Sequence, residues 1–490
     1  MKIAICSPEV LPFSKTGGLA DVAGALPKAL SKIGLEIAVV TPLYKTVDRA
    51  KHKIVDTGKK VSAEMDGRPV EAGIFEGSLP GGAKVYFIDM PQYYGRDHLY
   101  GTSAGDDPDN AERFIYLAKI IPEVLKAVGF KPDVVHSNDW QTGLVPLFLD
   151  TVYRDDPFFG DTGTLYTVHN LGYQGVFWAI DMHWTGLGWE YFTPGGMEFY
   201  GKLNLMKAGL VYSDIINTVS KTYSREIQTP EYGYGLEGVL GKRAADLYGI
   251  VNGIDYDEFD PVKDSKIYKN YSAEDISGKA ENKKALKAEL GLATGNSPLF
   301  GIISRLADQK GFDILTESLD GLLKMGAQVA ILGTGEEKYH QLLSGLSKKL
   351  PKQVSVTLGF DLTLAERIYA GSDVFMMPSR YEPCGLGQLI SLRYGTIPMV
   401  RKTGGLADTV KNYSPKTGKG NGFVFTDYSS AAFLKAAKAA VKAYGDKKVW
   451  KGLVTSAMQE DNSWESSARE YVKLYKRAVQ KAATGSKQFA

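Results

Sequence analysis

Lys15-Thr16-Gly17-Gly18-Leu19-Ala20-Asp21-Val22 stands near the N-terminus and returns, changed only at its last position, as Lys402-Thr403-Gly404-Gly405-Leu406-Ala407-Asp408-Thr409. The first copy follows the apolar run Ile3–Cys6 and the second follows Ile397–Val400; each precedes a helix-like stretch. A glycine pair after a strand lets backbone N–H groups turn toward an anion, and the next helix N-terminus adds partial positive charge. A single such turn is more often only a tight turn, so the weight rests on the recurrence at equivalent positions. Two loops of this kind predict two nucleotide-fold domains facing one cleft, in an enzyme that handles a phosphorylated substrate. They do not say which anion binds.

With 490 residues the chain is too long for one core, and two large domains fit best. Lys and Arg number 58 against 56 Asp and Glu, a net charge of +2, which leaves no basic face of the kind nucleic acid requires. Any phosphate chemistry is therefore local. Two distant cysteines, Cys6 and Cys384, exclude a disulfide framework and favour a cytoplasmic address. The apolar stretch at the start is too short for a secretory leader, and no run reaches the roughly 18 apolar residues of a membrane span. Aromatic residues make up 11%, which suits carbohydrate contact but equally an ordinary core.

Short apolar runs alternate with amphipathic stretches, the pattern of βαβ units and a parallel sheet. Strands are expected at 36–41, 84–88, 133–136, 164–169 and 214–219, then at 299–304, 328–332, 354–357, 373–378 and 396–400. Helices are expected over 21–33, 311–325 and 336–350. Asn252-Gly253 signals a turn and a boundary, followed by a polar stretch over 260–281. Trp464, Ala468, Tyr471 and Tyr475 recur at helical spacing, which predicts a core-facing helix; the tail 482–490 is polar and is expected to fray.

Ligands of doubly wound folds bind beyond the carboxyl ends of strands, and polar or glycine-rich sequence stands there repeatedly. Ser7-Pro8-Glu9 and the Lys15 loop follow the first strand; His136-Ser137-Asn138-Asp139-Trp140 and His169-Asn170 follow later ones. Arg305 and Lys310 share one strand–loop–helix connection. Arg forks onto phosphate oxygens and Lys adds a point charge, so the pair could neutralise a departing diphosphate without a metal. Glu382, ahead of Pro383-Cys384-Gly385-Leu386-Gly387, could accept hydrogen bonds from sugar hydroxyls, with the N–H groups of Cys384, Gly385 and Leu386 facing sugar oxygens. Cys384 lacks an adjacent base and does not read as a nucleophile. His169, at a strand end beside Asn170, is a site candidate. The six histidines show no zinc spacing. Neither a nicotinamide fingerprint nor a hydrolase elbow occurs.

These motifs, with Val251-Asn252-Gly253-Ile254-Asp255 and Pro378–Leu386, resemble those of the bacterial glycogen synthase and plant starch synthase family over essentially the whole chain. The resemblance implies a GT-B fold: two Rossmann-like, doubly wound parallel-sheet domains facing an interdomain cleft. Residues 1–253 would form the acceptor-side domain and 254–463 the donor-side domain, with 464–490 crossing back onto the first. It implies glucose transfer from ADP-glucose to the non-reducing end of an α-1,4-glucan, with retention and with neither metal nor other cofactor. The expected partners are ADP-glucose and glycogen, with no nucleic acid and no membrane.

Carried over residue by residue, Lys15 and the Gly17-Gly18 backbone, with Asp21 in the same phrase, approach the donor phosphates. Arg305 and Lys310 stabilise the leaving diphosphate. Asp139, Asn252, His169 and Glu382 surround the transferred glucose. Trp140 and Tyr93–Tyr94 are acceptor-side contacts, and the second phrase shapes the C-terminal side of the cleft. Two departures stand out. Gly387 occupies a position where the family often carries Thr, whose hydroxyl can hold phosphate. Ile390 stands where a broader related family carries a second Glu. Rival readings are a glucan phosphorylase, which needs a pyridoxal phosphate lysine, and a non-catalytic glucan-binding protein.

Overall fold

Strand β1 (Lys2–Cys6) is apolar in succession rather than in alternation, and Ile3, Ala4, Ile5 and Cys6 are all buried. Such a strand is covered on both faces, as parallel strands between helices are. The computed structural model describes residues 1–102 and 105–484. They form two compact units: Met1–Asn252 together with the C-terminal segment from Trp464, and Gly253–Ser463.

In the first unit β1 is followed by α1 (Gly18–Lys32), β2 (Glu36–Pro42), β3 (Val55–Met65), β4 (Arg68–Ser78) and β5 (Lys84–Asp89). Then come α2 (Asn110–Ala127), β6 (Val134–Asn138), β7 (Gly163–Val168), β8 (Ile215–Thr218) and β9 (Leu247–Gly249). The sheet order is β9-β8-β7-β6-β1-β2-β5-β4-β3. Strands β9 through β5 run parallel, and β4 and β3 are antiparallel. The chain leaves β1 to pair β2 on one side and returns to pair β6 on the other. That reversal opens a crevice beyond the carboxyl ends of β1 and β6.

The β3–β4 hairpin adds two antiparallel strands in a stretch, 43–83, where no strand was named from sequence. Strand β3 is largely exposed and polar, and β4 mixes exposed polar residues with the buried Ala72 and Ile74, so no continuous apolar run marks either. The readable signal is Asp66-Gly67, at φ 50° and 72°, the dipeptide a two-residue hairpin turn favours.

The second unit carries β10 (Leu299–Ile303), α3 (Phe312–Lys324), β11 (Gln328–Gly333), β12 (Val354–Leu358), α4 (Leu362–Gly371), β13 (Val374–Met377), α5 (Gly387–Arg393), β14 (Ile397–Arg401), α6 (Gly404–Thr409) and β15 (Phe423–Phe425). All six strands are parallel, in the order β12-β11-β10-β13-β14-β15. Here the reversal lies between β10 and β13. The polar stretch at 260–281 is mostly irregular and ends in a helix, Ser277–Glu289.

Helix α7 (Trp464–Thr484) buries Trp464, Ala468, Tyr471, Leu474, Tyr475 and Ala478 on the first unit's core. Polar pins add direction to this apolar seam. Tyr475 Oη lies 3.0 Å from His136 Nδ1, and Asn217 Nδ2 donates to Tyr471 Oη at 3.1 Å. The tail from 485 onward lies outside the described residues. No described helix is long and apolar enough to cross a membrane.

Candidate active site

Glu9 follows β1 and is 4% exposed. Its carboxylate accepts the Thr16 N–H, the Gly17 N–H at 3.2 Å, the Thr16 hydroxyl at 3.0 Å and the Tyr100 hydroxyl at 3.3 Å. Burial pushes its pKa up, against the pull of those donors. Of the Gly17-Gly18 backbone expected to approach the donor phosphates, the Gly17 N–H donates in this structure to the Glu9 carboxylate. Lys15 Nζ lies 2.6 Å from Asp21 in the first turn of α1. A side chain at Gly17 or Gly18 would meet nothing within 4 Å, so packing does not demand glycine at either position.

Beyond β6, the Asn138 amide donates to the carbonyls of Cys6 at 3.1 Å and His136 at 3.3 Å. Its Oδ1 therefore accepts from His169 Nε2 at 2.9 Å. This places the imidazole proton on Nε2 and leaves Nδ1 as an acceptor. Burial pushes the His169 pKa down to about 3, so the ring is neutral at pH 7. Asp139 sits at φ 54°, ψ −178°, a region that costs a non-glycine residue about 1–3 kcal/mol. It is fixed there by accepting the His169 N–H at 2.7 Å and the Asn170 N–H. Burial, with the nearby Glu9 charge, pushes its pKa up to about 7.

Asn170 Oδ1 accepts the Gly172 N–H at 3.0 Å. Trp140 is half-buried, edge-on to Phe114 with ring centres 4.9 Å apart. Asn252 is 6% exposed, and its Oδ1 has no partner among the described residues. Tyr93 and Tyr94 do not fit an acceptor-side role. Both rings are buried; Tyr93 donates to Glu112 and Tyr94 to the Arg113 carbonyl.

In the second unit a cavity of about 190 Å³ opens where the strand order reverses between β10 and β13. Its walls include Arg305, Lys310, Tyr369, Ser379, Glu382 and Gly385 to Gly387. Arg305 is exposed, donates to Gln309 at 3.1 Å and has no carboxylate partner among the described residues. Lys310 Nζ lies 2.6 and 2.9 Å from the Glu382 oxygens, and Ser379 donates to the same carboxylate at 3.0 Å. So the cation assigned to the leaving group and the carboxylate assigned to the sugar hold one another. The N–H groups of Gly385 and Leu386 have no acceptor among the described residues. Cys384 is buried in the same turn.

The second copy of the repeated phrase does other work. Gly404 sits at φ 43°, and a Cβ there would overlap the Glu382 carbonyl oxygen. A Cβ at Gly405 would overlap the Cys384 carbonyl oxygen, while the Gly405 N–H donates to the carbonyls of Glu382 and Pro383, each at 3.1 Å. These glycines let α6 buttress the Glu382 turn by backbone contact. They do not form a second anion cradle.

Glu9, Asn138, Ser379 and Tyr369 were not singled out as site residues from sequence. Glu9 and Asn138 stand at strand ends, where the signal was readable. Ser379 and Tyr369 reach the cavity only through the packing of β13 and α4. Phe360, 88% exposed between β12 and α4, is likewise an aromatic face at a strand end.

Two doubly wound units, each with polar side chains gathered beyond its point of strand reversal, define a glycosyltransferase of the GT-B fold class. Residues 2–242 match the family model for the starch synthase catalytic domain, and 283–451 match that for glycosyl transferases group 1. The chain is 49% identical over 487 residues to the glycogen synthase of Fervidobacterium nodosum, covering 98% of this chain and 99% of that one. It is 48% identical over 488 residues to the glycogen synthase of Thermotoga maritima, covering 98% and 99%. The chain belongs to the glycogen synthase family, whose chemistry is glucosyl transfer in glycogen and starch synthesis. Among solved structures, the catalytic domain of starch synthase IV from Arabidopsis thaliana, bound to ADP and acarbose, matches at TM-score 0.90 and 33% identity, covering 98% and 99% of the two chains. Sucrose-phosphate synthase from Thermosynechococcus elongatus, at TM-score 0.59 and 16% identity over 97% of this chain and 98% of that one, shares the fold.

Proposed function

We propose that the chain transfers glucose from ADP-glucose to the non-reducing end of an α-1,4-glucan, with retention at the anomeric carbon and without a metal. The observation that carries this reading is the second unit's cavity, where an unpaired guanidinium, Arg305, stands with the unmatched N–H groups of Gly385 and Leu386. Fixed donors aimed at a phosphate are what a departing diphosphate needs as its charge develops. Lys310 adds a second cation, held in place by Glu382. The ADP-bound relative supports the choice of nucleotide. Phe360 offers its open face to the adenine ring, since every base can stack on an aromatic side chain.

In this reaction the bond from glucose C1 to the donor phosphate oxygen breaks, and a bond from C1 to the acceptor 4-oxygen forms on the same face. The acceptor proton passes to the departing phosphate. Glu382 is engaged by Lys310 and Ser379, which suits a positioning carboxylate better than a nucleophile. In the first unit, His169 Nδ1 accepts from a sugar hydroxyl, and Asp139 and the Asn252 amide oxygen accept from others. Lys15 meets the donor phosphates.

The test is incorporation of glucose into glycogen from ADP-glucose or UDP-glucose, with a chelator present. Stoichiometric ADP release and retained configuration are expected. Arg305→Ala should lower turnover by about 10²–10³. Normal turnover in that variant would remove the leaving-group role. Incorporation from UDP-glucose alone would overturn the donor, and complete loss with chelator would overturn metal independence.

A further inference from the structure

Gly387 opens helix α5 on the wall of the second unit's cavity. A Cβ at this position would lie 2.8 Å from Phe375 Cε1 and 3.4 Å from the Tyr369 hydroxyl. Phe375, on β13, is 1% exposed, and its ring packs on that of Tyr369 with centres 4.9 Å apart. The two rings come from different elements, α4 and β13, and are wedged together, so neither yields cheaply to a methyl group. While the aromatic pair stands, residue 387 has no room for a side chain.

Tyr369 is only 7% exposed, yet its hydroxyl makes no hydrogen bond among the described residues, and the residue lines the cavity beside Arg305 and Lys310. The oxygen is reached from the cavity rather than sealed in the core, so a ligand there can meet it. Burial holds the phenol well above its ordinary pKa, so it keeps its proton and can donate. Its neighbours in the cavity wall include two cations and a carboxylate already engaged by Lys310 and Ser379, a setting that suits an anionic ligand as the acceptor.

We propose that the Tyr369 hydroxyl donates a hydrogen bond to a phosphate oxygen of the bound nucleotide, while the Phe375 ring that packs on Tyr369 keeps residue 387 a glycine. Tyr369 thus supplies, from α4, a hydroxyl that a residue at 387 could otherwise bring from α5. This rests on the reading of the cavity as the nucleotide diphosphate site.

The test is calorimetric titration of ADP into the full chain and two variants, with a melting curve for each. Tyr369→Phe keeps the ring and removes only the oxygen. It should raise the Kd for ADP about tenfold to a hundredfold with the melting temperature unchanged, because a bond to a charged acceptor is lost and no internal bond is broken. Gly387→Thr should also weaken ADP binding, since the new side chain collides with the aromatic pair. Wild-type affinity for ADP in Tyr369→Phe would overturn the proposal while leaving the nucleotide site intact. Failure of the wild-type protein to bind ADP at all would overturn the proposal together with the reading beneath it.

Discussion

Alanine in place of one glycine from each copy of the repeated phrase should give opposite results, although the surrounding sequence is nearly the same. At Gly404 the backbone stands at φ 43°, and the new Cβ would overlap the Glu382 carbonyl oxygen. The left-handed conformation costs a non-glycine residue roughly 1–2 kcal/mol. Overlap with a fixed backbone adds roughly 1–3 kcal/mol. The total, about 2–5 kcal/mol, corresponds to a fall of roughly 4–20 °C in the melting of a unit of about 200 residues. At Gly17 the backbone is extended, at φ −146° and ψ −170°, and the new Cβ meets nothing. Alanine there restricts mainly the unfolded chain, so the melting temperature should hold or rise slightly. On the proposed function activity should fall in both variants: at Gly404 because the Glu382 turn shifts, and at Gly17 because a methyl group enters the open space on the side proposed to face the donor phosphates. Differential scanning calorimetry beside a glucosyl-incorporation assay separates the two. Equal destabilisation by both substitutions, or wild-type melting of Gly404→Ala, would refute the reasoning.

Lys310→Met strands the 5%-exposed Glu382 carboxylate and should cost about 3–5 kcal/mol, much of it recovered by adding Glu382→Gln; chemical denaturation of the single and double variants measures this. Tyr475→Phe leaves His136 Nδ1 without its partner and should cost about 1–3 kcal/mol in the same measurement. Asp139 has a folded pKa of about 7 against an ordinary 3.8, so the native state holds the extra proton between these values and loses stability as pH rises through them. Asp139→Asn should therefore gain in melting temperature over the wild type progressively from pH 4 to 7, with the gain constant above; a gap that does not vary with pH contradicts the shift.

Most parallel strands were readable because they are buried on both faces and so appear as apolar runs; β9 and β15, three residues each, were not among the strands expected. The β3–β4 hairpin escaped because β3 is exposed and lysine-bearing and β4 breaks its apolar residues with charged ones, leaving only Asp66-Gly67 to announce it. At the site, residues at strand ends could be found from sequence, since the fold class fixes where ligands lie. What sequence could not show is pairing. That Lys310 is bound to Glu382, that Glu9 occupies the N–H of Gly17, and that Asn138 sets the tautomer of His169 all depend on side chains meeting across 8 to 72 residues of chain. The two copies of the phrase read alike for the same reason. Their difference lies in what faces them, open space at Gly17 and the 382–384 backbone at Gly404.

The electrostatics of the two units follow one arrangement. Each carries a lysine locked to its own carboxylate, Lys15 to Asp21 at 2.6 Å and Lys310 to Glu382 at 2.6 Å, while Arg305 stays without one. A paired cation is already oriented and partly desolvated, so it loses little side-chain entropy when a phosphate arrives, but its charge is largely cancelled at a distance. With 58 basic and 56 acidic residues overall, the chain projects little net field to draw an anion in. On the proposed function, capture of the nucleotide depends on short-range contacts, and Arg305, the cavity cation without a carboxylate partner, meets it uncompensated. Nucleotide association should accordingly respond only weakly to ionic strength, while loss of Arg305 should act chiefly on the dissociation rate. A steep salt dependence of the association rate in stopped-flow measurements would show that the lysines act as free charges and that their carboxylate partners release them before the ligand arrives.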